Sequence, residues 1–195
     1  MATIKTREDW MQAFIKEARP IFRKLGGNAI PRKVRAACGF SSKGARSNRI
    51  GECWTSECSG DDTYEIFIVP AIADASRVAD ILTHELIHAA VGIEAGHKKP
   101  FVDMMKALGL EGKPTATVAG SGWHAWADPI IKKIGKYPHA ALEGGQGGAK
   151  KQTTRMLKCE CGSCGFVFRT TAKWVEATPF MQCPNADCGG DVNVG

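Results

Sequence analysis

Residues 76–91, SRVADILTHELIHAAV, decide how the rest of the chain is read. Val78, Ile81, Leu82, Leu86, Ala89 and Ala90 recur at helical spacing and form one apolar stripe, and Gly92 is placed to end the helix. Within it, His84 and His88 stand four residues apart, so both imidazoles project from one face about one turn apart and can reach a single ion. Glu85 lies beside them outside the ligand set. Hydrolysis of a peptide bond at a metal needs that arrangement: the ion polarises water and carbonyl, and the carboxylate takes the water's proton and passes it to the leaving amine. A catalytic zinc ordinarily has three protein ligands and one open position. Two residues compete for the third place. Glu94 lies six residues past His88, while His97 follows Ala95-Gly96, a pair that lets the chain turn back. His97 is favoured because a neutral imidazole after a glycine-permitted turn is a good zinc ligand; Glu94 stays on the fraying helix end.

Upstream of this segment, Trp10, Met11, Phe14, Ile15, Ala18, Phe22 and Leu25 predict a first helix, with Thr6 as N-cap and Asp9 as the acid of a capping box. Pro20 predicts a kink or a division in it. Val34–Cys38, Ile50–Trp54 and Tyr64–Val69 read as three short strands of a small sheet, separated by Gly, Ser, Asn and Asp. The last of them is expected to offer its edge to an extended substrate. Downstream, helices are expected at about Pro100–Leu108, with Gly109 after its end, and Ala125–Ile134; Trp123 and Trp126 are spaced for one helix face and read as core. His124, His139 and Tyr137 are weaker candidates for orienting a substrate, with a structural role the simpler reading. The glycine-rich residues 143–153 read as a linker between a domain at 1–142 and a small module at 154–195.

That module carries a second metal signal. Cys161-Gly-Ser-Cys164 is a C-x-x-C turn, and Cys183 with Cys188 forms a slightly longer partner about twenty residues later, the four-thiolate pattern of a structural zinc ribbon. Phe166, Val167, Phe168, Lys173, Trp174 and Val175 suit the strands between the two turns. Cys159 is too close to Cys161 for a usual knuckle and reads as a strand residue, and Cys53 and Cys58 read as buried free thiols.

The chain has 195 residues, eight cysteines and a formal charge of +6. Its apolar runs fall far short of the roughly 20 residues a membrane span needs, and the N-terminus lacks a signal-peptide pattern, so a cytoplasmic protein without a membrane partner is expected. Cysteines in that setting point to metal ligation or free thiols, not disulfides. Lys16, Arg19, Arg23, Lys24, Arg32, Lys33, Arg35, Lys43, Arg46 and Arg49 face only Glu17 over their stretch, which suits a polyanion as well as an ordinary solvated face. In the ribbon, Lys158, Arg169, Lys173 and Trp174 combine cations with an aromatic, the mixture that tracks single-stranded nucleic acid.

His84-Glu-Leu-Ile-His88, Gly96-His97 and the following Lys-Lys-Pro-Phe101 resemble the H-E-x-x-H and Gly-His-x-x-x-Phe segments of SprT-like metallopeptidases, the family that includes the Spartan proteases. The resemblance is close over the central segment, by pattern in the ribbon, and limited to element order in the N-terminal region. The compact length looks more like phage and bacterial versions, for which the compartment is the host cytoplasm. It implies an α+β, zincin-like peptidase domain with a small sheet and an active-site helix, followed by a zinc ribbon. By the same resemblance His84, His88 and His97 bind a catalytic zinc and Glu85 is the base, Cys161, Cys164, Cys183 and Cys188 bind a structural zinc, and the substrates are proteins on DNA. The four-residue gap before Cys188 departs from the family pattern. Two other classes stand beside this reading: a DNA-binding regulator with a non-catalytic metal site, which the presence of Glu85 disfavours, and an accessory protein acting through protein contacts, which the clustered cations disfavour.

Overall fold

The first helix, α1 (Arg7–Ile21), begins where Thr6 and Asp9 close a capping box, the Thr6 hydroxyl accepting from the Asp9 amide at 3.0 Å and the Asp9 carboxylate from the Thr6 amide at 3.0 Å. The structure is a computed structural model that describes residues 4–45, 47–143 and 156–195, and its chain divides into two units, Met1–Gly144 and Gly145–Gly195. All but the first residue of the expected linker, 143–153, lies outside the described residues. The interruption expected at Pro20 arrives as a widening: α1 runs through the proline and passes at Phe22–Gly26 into a π-helical turn.

The three expected strands form as β1 (Val34–Cys38), β2 (Gly51–Trp54) and β3 (Tyr64–Ile68). Their order is β1-β3-β2, with β3 parallel to β1 and antiparallel to β2. β3 is therefore central and both of its edges are paired, so it cannot take an added substrate strand as the sequence suggested. The sheet's edges belong to β1 and β2.

Next comes α2 (Ala75–Val91), capped by Asp74, whose carboxylate accepts from the Arg77 amide at 2.7 Å. It packs against α1, β2, β3 and the later elements α3 (Lys99–Ala107), β5 (Ala116–Ala119) and α4 (Ser121–Ile134). Surrounded in this way, it buries Val78, Ala79, Ile81, Leu82, Leu86 and Ile87, and also Asp80, Thr83 and Glu85. The α1 residues Trp10, Met11, Phe14 and Ile15 complete the core with Phe101, Trp123 and Tyr137.

Two features escaped the sequence reading. Leu110–Lys113 (β4) and β5 form an antiparallel hairpin over α2, although Leu-Glu-Gly-Lys and Ala-Thr-Val-Ala show little of the pattern of a strand. Helix α4 also starts four residues before the expected Ala125, which puts Trp123 inside it. Trp123 is fully buried and donates from Nε1 to the Thr83 hydroxyl at 3.0 Å.

The second unit is a three-stranded sheet of order β7-β6-β8, from β6 (Met156–Cys161), β7 (Val167–Thr171) and β8 (Val192–Val194). Lys173, Trp174 and Val175, expected in a strand, lie in a short helix, α5 (Ala172–Ala177). The segment AKWVEA is rich in helix formers, and that local preference prevails. No described helix is long and apolar enough to cross a membrane.

Thr83 ties α2 to α4: its hydroxyl donates to the Ala79 carbonyl at 2.8 Å and accepts from Trp123. Thr83→Val keeps the shape and leaves the buried indole N–H without an acceptor, which costs about 1–3 kcal/mol. Chemical denaturation should show that loss; an unchanged unfolding midpoint would show that the bond contributes nothing.

Candidate metal centres

His84 and His88 come from successive turns of α2, and the chain then has to return His97 to the same point. It does so in a short space: Gly92 leaves the helix with φ 90°, a 3₁₀ turn spans Ile93–Ala95, and Gly96 takes φ 51° and ψ −134°. That last combination is open almost only to glycine. As a result the Nε2 atom of His97 lies 3.2 Å from that of His88 and 3.3 Å from that of His84. Ligand nitrogens about 2.0–2.1 Å from a tetrahedral ion stand roughly 3.3–3.4 Å apart, so the three imidazoles have the spacing of a metal site. Glu94 is exposed on the 3₁₀ turn and is not one of the converging groups.

Phe101, fully buried at the start of α3, packs against all three rings, with centroid distances of 4.8, 4.5 and 4.9 Å to His84, His88 and His97. Burial in this apolar setting holds His84 well below the ordinary imidazole value, at about 3, with the neighbouring histidines adding to the effect. It likewise holds His88 at about 4 and lowers His97. All three are neutral near pH 7, so their lone pairs are available to a cation. A cluster of neutral imidazoles with three nitrogens aimed at one point fits a metal ion.

Glu85 is only 7 % exposed and lies against β2. The approach is close: a Cβ on Gly51 would sit 2.6 Å from Glu85 Oε1 and 2.7 Å from Ile81 Cγ2, so no other residue fits there without moving the carboxyl. Burial pushes the Glu85 carboxyl up to about 8, against the opposing pull of Arg49 and the Cys53 amide. A dication at the histidines favours the ionised form. Triad and carboxyl open into one cavity of about 560 Å³, walled by β2 and Arg49 on one side and by Thr115–Val118 and Arg77 on another. Arg49, which the sequence reading placed only in a basic stretch, is held at the rim by Glu52. Burial works against the charge of Glu52, yet donors from Ser42 (2.7 and 2.8 Å) and Arg49 outweigh it and leave the carboxyl below its usual value.

In the ribbon, Cys161, Cys164, Cys183 and Cys188 converge. Sulfur separations of 3.7 Å (Cys161–Cys188) and 3.6 Å (Cys164–Cys183) are far beyond a disulfide and close to the roughly 3.7–3.8 Å between thiolates on one zinc-sized ion. The Cys164 and Ser163 amides point at Cys161 Sγ and draw that thiol down to about 6. Burial pushes Cys183 the other way, up to about 12. Cys159 faces Phe168 and Val194 across the sheet and is fully buried, a core thiol and not a ligand.

The remaining candidates separate. Cys53 is half-buried as a free thiol, but Cys58 is exposed on the turn after β2, not buried as expected. His124 pairs with Asp128 on an exposed stretch of α4, and Tyr137 is buried with its hydroxyl 3.3 Å from Cys38 Sγ; with His139, they lie outside the cavity lining. Much of the basic stretch is engaged locally. Arg19 donates to the carbonyls of Ile30, Pro31 and Arg32, Lys33 and Arg35 meet Asp61, Asp62 and Glu65, and Arg49 meets Glu52. On the ribbon, Lys158 and Arg169 are cross-strand neighbours on one face, and Lys173 lies 5.1 Å from the centroid of the Trp174 ring, which is 56 % exposed.

Comparison of the chain with protein-family models, with curated proteins and with solved structures finds no match.

Each of the two donor sets could hold one ion, which gives an expectation of two per chain. Elemental analysis of His97→Ala should fall from two equivalents to one, while Glu94→Ala should keep both. Loss of an equivalent in Glu94→Ala with retention in His97→Ala would exchange their roles.

Proposed function

We propose that the chain is a zinc-dependent peptidase of the SprT-like kind, with a catalytic zinc at His84, His88 and His97 and a structural zinc at the four ribbon cysteines. The observation that carries this reading is Glu85: a buried carboxyl placed beside three converging imidazoles and at the wall of an open cavity. A purely structural site has no use for a base there. The donor sets, three nitrogens in one site and four sulfurs in the other, support zinc in both.

When bound, the zinc supplies Lewis-acid polarisation of a water and of the scissile carbonyl. Glu85 accepts a proton from that water as its oxygen bonds to the carbonyl carbon, and then delivers the proton to the nitrogen as the C–N bond breaks, so the products are a carboxylic acid and an amine. Gly51 leaves room for the Glu85 carboxyl against β2, and the Cys53 amide favours its charged form. As an edge strand along the cavity, β2 is the place where an extended polypeptide adds to the sheet, in the role the sequence reading gave to Tyr64–Val69.

The ribbon is proposed to hold DNA, preferentially single strands, and so to select proteins attached to it. The exposed Trp174 with Lys173 offers a ring on which bases stack, and Arg169, opposite the Glu160-paired Lys158 across β6 and β7, offers a cation to phosphates.

Glu85→Gln keeps the shape and removes the base. Both zinc equivalents should remain while cleavage of an unfolded protein substrate falls by about 10²–10⁴-fold. Cleavage at the parent rate would remove Glu85 from the mechanism. Single-stranded DNA binding should weaken as salt rises and weaken again in Lys158→Ala/Arg169→Ala/Trp174→Ala. Equal affinity in the triple variant would exclude the ribbon, and no binding at low salt would exclude the nucleic acid.

A further inference from the structure

Each imidazole in the triad uses Nε2 toward the common point, so its Nδ1 must carry the proton and face outward. Whether that N–H has an acceptor differs among them. His84 Nδ1 lies 2.9 Å from the Thr117 hydroxyl, whereas His88 Nδ1 is buried with no partner. Among the described residues His84 is the one ligand with a protein partner on its far side.

Thr117 is not on a mobile loop. It sits on β5, only 7 % exposed, and α2 grips that strand at two further points. Arg77 Nη1 reaches the Thr117 carbonyl at 3.5 Å, and Asp80 Oδ2 accepts from the Ala119 amide at 3.3 Å. Asp80 in turn holds Arg77 through both carboxylate oxygens, at 2.9 and 2.7 Å. Arg77, Asp80 and His84 are spaced i, i+3, i+7 on one face of α2, and they meet alternate residues of β5, 117 and 119, on the edge that β4 leaves open. The hairpin is fastened to α2 by hydrogen bonds to the two members of an ion pair on that helix, and the hydroxyl that meets His84 is carried on the fastened segment.

We propose that Thr117 is a positioning residue that fixes the tautomer and ring plane of His84, with Arg77 and Asp80 holding the strand that presents it. This rests on the reading that the histidine triad binds zinc. The hydroxyl accepts the Nδ1 proton, keeps the Nε2 lone pair directed at the ion, and raises the basicity of the ligand. The hairpin that the sequence pattern did not show thereby becomes part of the site.

The test is Thr117→Val in the full chain, which keeps the β-branched shape and deletes the acceptor, with Thr117→Ser as the conservative control. Zinc affinity at the triad is read by chelator competition, and the ring nitrogens of His84 by ¹⁵N NMR of the zinc-loaded protein. Thr117→Val should bind the triad zinc about 10–100-fold more weakly and show faster solvent exchange of the His84 Nδ1 proton, while Thr117→Ser stays near the parent on both. Parent affinity and unchanged exchange in Thr117→Val would overturn the proposal. Equal weakening in Thr117→Val and Thr117→Ser would also overturn it, because the methyl and not the hydroxyl would then matter. The underlying reading fails separately: if His97→Ala leaves the same competition curve as the parent, the triad is not the zinc site.

Discussion

A helix enclosed by neighbours on nearly every side carries polar groups cheaply only where they find partners, because an unpaired buried donor or carboxyl costs several times what its hydrogen bond returns. Helix α2 carries Asp80, Thr83, His84 and Glu85 under that constraint, and His88, whose Nδ1 is buried without a partner, is the exception. The partners come from different elements. Thr83 bonds α4 through Trp123, Asp80 and His84 bond β5, and Glu85 lies close against Gly51 of β2. The polar residues that burial makes expensive are thus the ones that fasten the surrounding elements to the helix, and the same contacts orient the residues of the candidate site.

The constraint also explains the roles of residues with no polar chemistry. Gly51 is needed because Glu85 approaches β2 more closely than any side chain allows, and Gly96 because His97 must return within nine residues of His88. Phe101 closes the inner side of the triad and excludes water from the rings, which keeps the imidazoles neutral and their lone pairs free.

What could be read in the sequence was local. The capping box at Thr6, the stripe on α2 and the strands at 34, 51 and 64 all follow from spacing and composition over a few residues. The four ribbon cysteines and the three histidines were equally legible, because metal donors are few in kind and their spacing is constrained. What escaped was pairing at a distance. Nothing within Tyr64–Ile68 says that it lies between two other strands, and nothing in Thr117 marks its hydroxyl as the partner of a histidine 33 residues away. The ribbon shows the same limit: its cysteines were clear, while α5 was mistaken for strand because aromatic and β-branched residues suit both states. With Cys159 buried but Phe168 only half-buried and Val194 exposed, the second unit has little apolar interior, so a metal at its four cysteines would supply a large part of its stability, on the order of 10 kcal/mol in isolated zinc-finger peptides.

Anomalous diffraction at the zinc edge from crystals of the full chain tests the central claim most directly. A peak is expected about 2.0–2.1 Å from the Nε2 atoms of His84, His88 and His97, with water and no fourth protein ligand completing the shell and Glu85 beside it. A triad without a peak, or one closed by a fourth side chain, would contradict it.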